Sequence, residues 1–193
     1  MTSHLQADAD PNRWVPIRGG GFGSGRHRKA AIRMLLSTAG VTHGQPGSGV
    51  MSFIANRVIK AGLKNANGRF LAWSWKDDPE AFAALAQVQE LTPQVRAARA
   101  MMPIEYDDTE NFSNPHLGMG EKLVMDEPTQ TGKPPFATYT WDTGSQLVTL
   151  HAVSPDKGRF LTFIPALDEL ARTLRWVEDL EVGESNVLRL PPA

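Results

Sequence analysis

The sequence contains no cysteine and no apolar run long enough to cross a bilayer. Without cysteine the chain has no disulfide, no thiolate metal site and no cysteine nucleophile, and this composition fits a reducing compartment. The first 12 residues are polar and include Asp8 and Asp10, whereas a secretory signal begins with a basic segment followed by an apolar one. We therefore expect a cytoplasmic protein without a membrane span.

The charge is unevenly distributed along the chain, although the net charge is only −1. Residues 1–76 hold 11 Lys and Arg against 2 Asp and Glu, whereas residues 77–193 hold 9 against 19. Two interpretations follow from this asymmetry. Either the two halves pack together and their fields complement each other, or the basic half binds an anionic partner.

Eight Phe and five Trp give the chain enough bulky apolar side chains for a folded core. The length suits one domain with extensions. We predict a disordered tail over residues 1–12, a single α+β domain over 13–176 and an acidic C-terminal extension over 177–193. Residues 13–17 are expected to form an edge strand, because Pro16 cannot donate to a central ladder.

Apolar spacing predicts helices and one strand in the first half of the domain. A first helix is expected from about residue 26 to 38, and a second begins at Val50 with a clear helical period. Residues 69–75 alternate and predict a strand that is covered on both faces. The remaining predictions are a helix that starts at 77–80 and continues through Phe82, Leu85 and Val88, a helix from 93 to 103, and a polar loop over 103–116.

The last third of the domain predicts a meander of three strands followed by an amphipathic helix. The strands are expected at about 121–125, 137–141 and 147–153, with a tight turn at 142–145. Apolar residues from Phe160 to Leu174 form a helical stripe, and we place the main helix at 166–176 with Pro165 in its first turn. An antiparallel sheet with flanking helices, an α+β fold, would bury these stripes.

Four segments in this region carry a family resemblance. GEKLV at 120–124, ATYTW at 137–141, LVTLHAVSP at 147–155 and the helix at 167–176 resemble the closing strands and C-terminal helix of Mog1/PsbP-like proteins. The resemblance covers residues 117–176. It implies a curved antiparallel sheet between helices, and a role as an adaptor, an assembly factor or an accessory subunit.

A glycine-rich loop at residues 18–25 leads into the first predicted helix. Backbone N–H groups at such a helix start can bind an anion. Gly20 and Gly25 have P-loop spacing, but Arg26 and His27 follow where Lys and Ser or Thr are required, so nucleotide binding lacks its mechanism. The other interpretation is a flexible surface loop.

Basic residues cluster around this loop and helix start, and they could contact phosphates in a salt-dependent manner. The alternative is a solvated helix start, or pairing with the acidic half of the chain. The candidate anion-binding residues are Arg18, Arg26, Arg28, Lys29 and Arg33.

Three further groups of residues have competing interpretations. Trp73 and Trp75 share one strand face and form either a stacking platform or part of the core. The segment from Asp107 to His116 does not match a calcium loop and favours a solvated acidic loop. The five histidines lack helical metal-ligand spacing, and no Gly-x-Ser-x-Gly elbow is present. The sequence thus predicts no catalytic residue, metal or cofactor.

The leading hypothesis is a non-enzymatic interaction protein that acts through contacts with a protein partner or with itself. The second hypothesis is an anion or nucleic-acid binder that uses residues 18–33. A third, an enzyme whose site is assembled from distant loops, stays open.

Overall fold

The structure is a computed structural model. It describes residues 3–17, 26–27, 30–31, 34, 69–100, 109–128 and 134–178. The glycine loop and the second predicted helix lie outside the described residues.

Nine strands and two helices have complete bounds in the described part of the chain. The strands are β1 (Ser3–Gln6), β2 (Trp14–Pro16), β3 (Phe70–Trp75), β4 (Ala83–Glu90), β5 (Glu110–Asn114), β6 (Gly118–Met125), β7 (Phe136–Asp142), β8 (Gln146–Val153) and β9 (Arg175–Glu178). The helices are α1 (Pro93–Ala100) and α2 (Lys157–Thr173). In these ranges no helix is both long and apolar enough to cross a membrane.

Seven strands form one antiparallel sheet in the order β2-β3-β4-β8-β7-β6-β5, and β1 pairs with β9 in a separate two-stranded sheet. This architecture confirms the predicted α+β class and the predicted meander of β6, β7 and β8. The turn between β7 and β8 is tight, as predicted. Gly144 there has a φ of 88°, which favours glycine, and its N–H donates to the Asp142 carboxylate at 2.8 Å.

Helix α2 covers one face of the large sheet with its apolar stripe. The stripe packs on sheet residues that point to the same face, among them Phe82, Tyr139 and Leu150. Burial of each large apolar side chain contributes about 1.5–3 kcal/mol, so this layer is the main core. The buried residues of the helix are Phe160, Phe163, Ala166, Leu167, Leu170 and Ala171.

Helix α2 begins earlier than the predicted start at residue 166. The carboxylate of Asp156 accepts the backbone N–H of Arg159 at 3.1 Å and caps the first turn. Pro165 lies inside the helix, where its ring removes the bond to the Leu161 carbonyl. Both residues are exposed, so water can reach that carbonyl and the helix continues. The predicted end at residue 176 is also wrong, since residues 175–178 form β9.

A buried side-chain amide ends helix α2. The amide nitrogen of Asn114 in β5 donates to the carbonyls of Ala171 at 2.7 Å and Leu174 at 3.0 Å. Its oxygen accepts the backbone N–H groups of His116 at 2.6 Å and Leu117 at 2.7 Å. The last carbonyls of a helix have no partner within the helix, so this amide satisfies them in the interior. It thereby joins the helix end to β5 and to the turn after it.

The helix predicted from residue 77 through Val88 is wrong, because Ala83–Glu90 form β4, an interior strand of the large sheet. This strand pairs with β3 on one side and β8 on the other. Alanine favours helix in isolation, which explains the error. Here Ala83, Ala84 and Ala86 are fully buried, and their small side chains let layers on both faces approach the sheet. Cross-strand pairing therefore overrides local propensity.

Two segments predicted to lack regular structure are strands. Within the disordered tail predicted over residues 1–12, Ser3–Gln6 form β1. Arg175 in β9 holds this segment by donating to Gln6 at 3.1 Å and to Asp8 at 2.7 Å. Within the polar loop predicted over 103–116, Glu110–Asn114 form β5. Both segments contain few apolar residues, so their sequences did not indicate a strand. In both cases, pairing with another strand orders the segment.

Other predictions in the first half are confirmed. Strand β2 lies at an edge of the sheet, β3 matches the strand predicted at 69–75, and α1 begins at the predicted Pro93. The described residues between 26 and 34 are helical. Among them Ala30, Ala31 and Met34 pack on Ala83 and Val153, which alternate with the residues that face α2. The large sheet is thus covered on part of its second face as well.

Replacing Asn114 with Ala would leave two carbonyls and two N–H groups without their buried partner. Each such group costs about 1–3 kcal/mol, and partial relaxation offsets some of the loss. We expect Asn114→Ala to lower the free energy of unfolding in urea by about 3 kcal/mol. The exposed Asn111 of the same strand is the control, and Asn111→Ala should change it by less than about 0.5 kcal/mol. Equal losses in the two variants would contradict the role of this amide.

Gly120 in β6 lies directly against the indole of Trp141, and a Cβ there would overlap that ring and the carbonyl oxygen of Thr140. Trp141 is fully buried and has no room to retreat. We expect Gly120→Ala to lower the free energy of unfolding by about 2 kcal/mol. Gly158 in α2 is the matched control, because its Cβ would meet Asp156 at an ordinary 3.5 Å. Gly158→Ala should raise stability by up to about 1 kcal/mol, and a loss in both variants would contradict the argument.

Candidate interaction surface

Most of the predicted anion-binding residues lie outside the described part of the chain. Arg18, Arg28, Lys29 and Arg33 belong to that group. Arg26 is described, and it is helical and exposed. The hypothesis of anion or nucleic-acid binding through residues 18–33 therefore stays a prediction.

Trp73 and Trp75 belong to the core, as the second of their two interpretations proposed. Trp73 is 3% exposed. The ring of Trp75 packs edge-on against Trp14, with 5.3 Å between ring centres, and against Phe163 at 4.9 Å. These rings are engaged in packing and do not form a stacking platform.

An ionic network in the interior joins α2 to β6 and β7. The carboxylate of Asp168 accepts the hydroxyl of Tyr139 at 2.6 Å and pairs with the ammonium of Lys122 at 3.0 Å. Tyr139 is fully buried, and the side chains of Lys122 and Asp168 are 13% and 19% exposed. The ammonium also lies 6.0 Å from the ring centre of Phe112 in β5.

The groups of this network are engaged with one another. Burial, together with the hydrogen bond to Asp168, raises the pKa of Tyr139 well above its usual value. The phenol keeps its proton at neutral pH, whereas a catalytic acid or base has a pKa near the working pH. Because Asp168 accepts from both Tyr139 and Lys122, we interpret the network as an attachment of α2 to the sheet.

The second face of the sheet carries polar side chains near its centre. His151 in β8 lies opposite Thr138 in β7, and its Nδ1 is 3.0 Å from the threonine hydroxyl. Burial lowers the pKa of His151 to about 4. The imidazole is therefore neutral at pH 7 and serves as a hydrogen-bonding partner within the sheet face.

The acidic segment from Asp107 to His116, one candidate for a metal site, is only partly described. Asp107 and Asp108 lie outside the described residues, Glu110 begins β5, and His116 follows in the turn after that strand. Within residues 109–128 and the other described ranges, no three His, Asp or Glu side chains are close enough to hold an ion.

A groove of about 550 Å³ follows the segment between β1 and β2. Both of its carboxylates are paired: Asp8 with Arg175 at 2.7 Å, and Asp10 with Arg13 at 3.5 Å. The hydrogen bond and charge of Arg175 lower the pKa of Asp8. The acidic side chains thus stabilise the N-terminal segment. The groove is lined by Ala7, Asp8, Ala9, Asp10, Pro11, Trp14, Pro16 and Trp73.

The two edges of the seven-stranded sheet differ in their protection. At one edge, β2 has three residues and ends in Pro16. Ile17 donates inward to the carbonyl of Ala72 at 2.8 Å, so by alternation the nitrogen of Pro16 faces outward, where it cannot donate. At the other edge, β5 has five residues and contains neither Pro nor Lys. Proteins commonly block edge strands with these devices, so among the described residues β5 is the less protected edge, with Glu110 as its one charged side chain.

The outer side of β5 forms the second edge of the large sheet as described. In the part of the chain that the structure describes, no strand pairs with it. Glu110, Asn111 and Ser113 are exposed, and Met119, which is 65% exposed, lies opposite Ser113 on β6. A methionine adapts its shape to different partners. We call the outer side of Glu110–Asn114 together with Met119 the β5 edge.

Strand β5 is firmly attached to the fold through its inner side and its buried side chains. Phe112 is 6% exposed and packs edge-on against Tyr139, with 4.9 Å between ring centres. The guanidinium of Arg172 lies 5.0 Å from the centre of the Phe112 ring. With Asn114 bonded to the end of α2, these contacts make the β5 edge a preformed template.

The β5 edge was not predicted from the sequence. The available signal was alternation, because buried Phe112 and Asn114 follow exposed Asn111 and Ser113 in turn. Only one of the five residues is apolar, so this pattern did not stand out from a polar loop.

His151 makes stability depend on pH in a defined window. Unfolded histidine titrates near pH 6.5, whereas folded His151 takes up its proton only near pH 4, so protons favour the unfolded chain between these values. We expect the free energy of unfolding to fall by about 2 kcal/mol on account of this residue as the pH drops from 6.5 towards 4. Urea unfolding at pH 7 and at pH 4.5 measures this loss of unfolding free energy.

The variant His151→Gln should lose this share of the pH dependence, since glutamine does not titrate. The exposed His116 provides the control, and His116→Gln should retain it. The same pH dependence in wild type and His151→Gln would contradict the assignment.

Comparisons with known proteins assign no family to this chain. No family model, no curated protein and no solved structure matches it. The functional argument therefore depends on the geometry of the chain's own residues.

Proposed function

We propose that this chain is a non-enzymatic interaction protein that binds a protein partner through strand addition at the β5 edge. The observation that carries the proposal is the unpaired outer side of Glu110–Asn114 among the described residues, at the end of a seven-stranded sheet. In strand addition, an extended segment pairs with the backbone of an edge strand, and neighbouring side chains select the segment.

The chemistry of the β5 edge suits a polypeptide. A row of backbone N–H and C=O groups gives a ladder that only another backbone matches along its length. The exposed Asn111 and Ser113 are uncharged, and Met119 adds an apolar contact on the same side of the sheet. A largely polar strand would complement this surface.

The buried titratable groups support a non-catalytic function. Tyr139, Lys122 and Asp168 satisfy one another, and His151 is held neutral beside Thr138. A catalytic site instead presents groups with perturbed pKa values to a substrate in a pocket. Our proposal accordingly includes no cofactor. It places the protein in the cytoplasm, for which the absence of cysteine is the supporting feature.

We also propose a Mog1/PsbP-like fold for the second half of the chain. Its support is the succession of β6, β7, β8 and α2, in which one amphipathic helix packs on an antiparallel meander. An adaptor or assembly role, which this resemblance implies, agrees with strand addition at the β5 edge.

Site-specific photo-crosslinking tests the interaction function. With a photoreactive benzoylphenylalanine at Ser113, we expect covalent adducts that mass spectrometry maps to an extended segment of the bound protein. The exposed Thr143 in the turn between β7 and β8 is the matched control, and the same probe there should give at least about fivefold fewer adducts. Equal labelling at both positions, or substrate turnover that depends on a defined residue set, would sink the proposal.

A further inference from the structure

We propose that the segment bound at the β5 edge is β5 of a second copy, so that the chain forms a symmetric dimer with one sheet continuous across both copies. This inference rests on the proposed function, because it names the partner of the same edge. It starts from the difference between the two edges of the large sheet.

The protection of β2 decides between a closed dimer and an open polymer. If the β5 edge paired with β2 of the next copy, each copy would still offer a free edge and the chains would grow into a filament. Pro16 and the three-residue length of β2 block that arrangement. Pairing of β5 with β5 uses both β5 edges at once and leaves only the two blocked β2 edges at the ends of the joined large sheet. A chain with one blocked and one open edge therefore favours a twofold dimer.

The sequence of β5 is compatible with its own antiparallel copy. A twofold axis at Phe112 places Asn111 opposite the second copy's Ser113, and Glu110 opposite the second copy's Asn114. No like charges then face each other. The two Glu110 carboxylates lie near opposite ends of the pair, about 14 Å apart at 3.4 Å per residue, which exceeds the screening length at physiological salt.

Met119 gains a contact in this arrangement. It lies beside Ser113 on β6, and Ser113 in turn faces the second copy's Asn111. Because serine is small, the long methionine side chain can extend across it towards the new strand. The pairing thus gives a partner to a large apolar side chain that is 65% exposed.

Analytical ultracentrifugation of the full chain tests the dimer directly. We expect wild type to convert from monomer to a species of twice the mass between about 1 and about 100 µM, since a five-residue ladder gives a modest interface. Two charge variants test the register. In N111K/S113K, each lysine at 111 faces a lysine at 113 of the second copy, and the dissociation constant should rise at least about tenfold.

In N111K/S113E, the same positions carry opposite charges, and the dimer should persist with a dissociation constant within about threefold of the wild type. Both positions are exposed, and matching urea midpoints establish that the folds are intact. A dimer equally stable in N111K/S113K overturns the proposal, because its interface then lies elsewhere. A wild-type chain that stays monomeric at about 100 µM also overturns it. Adducts from Ser113 to other proteins would in that case leave the proposed interaction function standing.

Discussion

The side-chain amide of Asn114 holds together parts of the molecule that are far apart in sequence. It lies at the end of β5, yet its two N–H groups bond carbonyls at the end of α2 and its oxygen bonds the turn into β6. Asn114 is 1% exposed, so its amide meets all four groups in the interior, where an unsatisfied polar group is costly. The position of α2 over the sheet, and the attachment of the edge strand, both depend on this amide.

The ionic network extends the same attachment along α2. Asp168 lies one turn before Arg172, and these two side chains reach Tyr139, Lys122 and Phe112 on three successive strands. A buried ion pair contributes little net stability, because desolvation offsets the attraction between its charges. Its geometry nevertheless specifies how the helix sits on β5, β6 and β7. The rigid part of the edge is therefore its inner side, while none of the described strands pairs with its outer side.

This combination explains why an interaction function suits the molecule. A preformed strand loses little conformational entropy when it pairs, which favours binding through even a short ladder. The opposite edge is closed by Pro16 and by its short length, so addition at one edge does not continue into a fibre. The interior strands of the large sheet, by contrast, have strand partners on both sides.

The sequence by itself determined the elements whose apolar residues repeat at a regular local spacing. The alternation around Trp73, the meander up to Val153 and the stripe from Phe160 to Leu174 reflect burial of one face, which local periodicity reports. Tertiary structure alone decided the state of β4, whose alanines favour helix until β3 and β8 pair with them. Tertiary structure also decided that the β1 and β5 segments form ordered strands, and it thereby created the candidate interaction surface. Their mostly polar residues carry only a weak local signal, because backbone pairing with strands elsewhere in the chain supplies the energy that orders them.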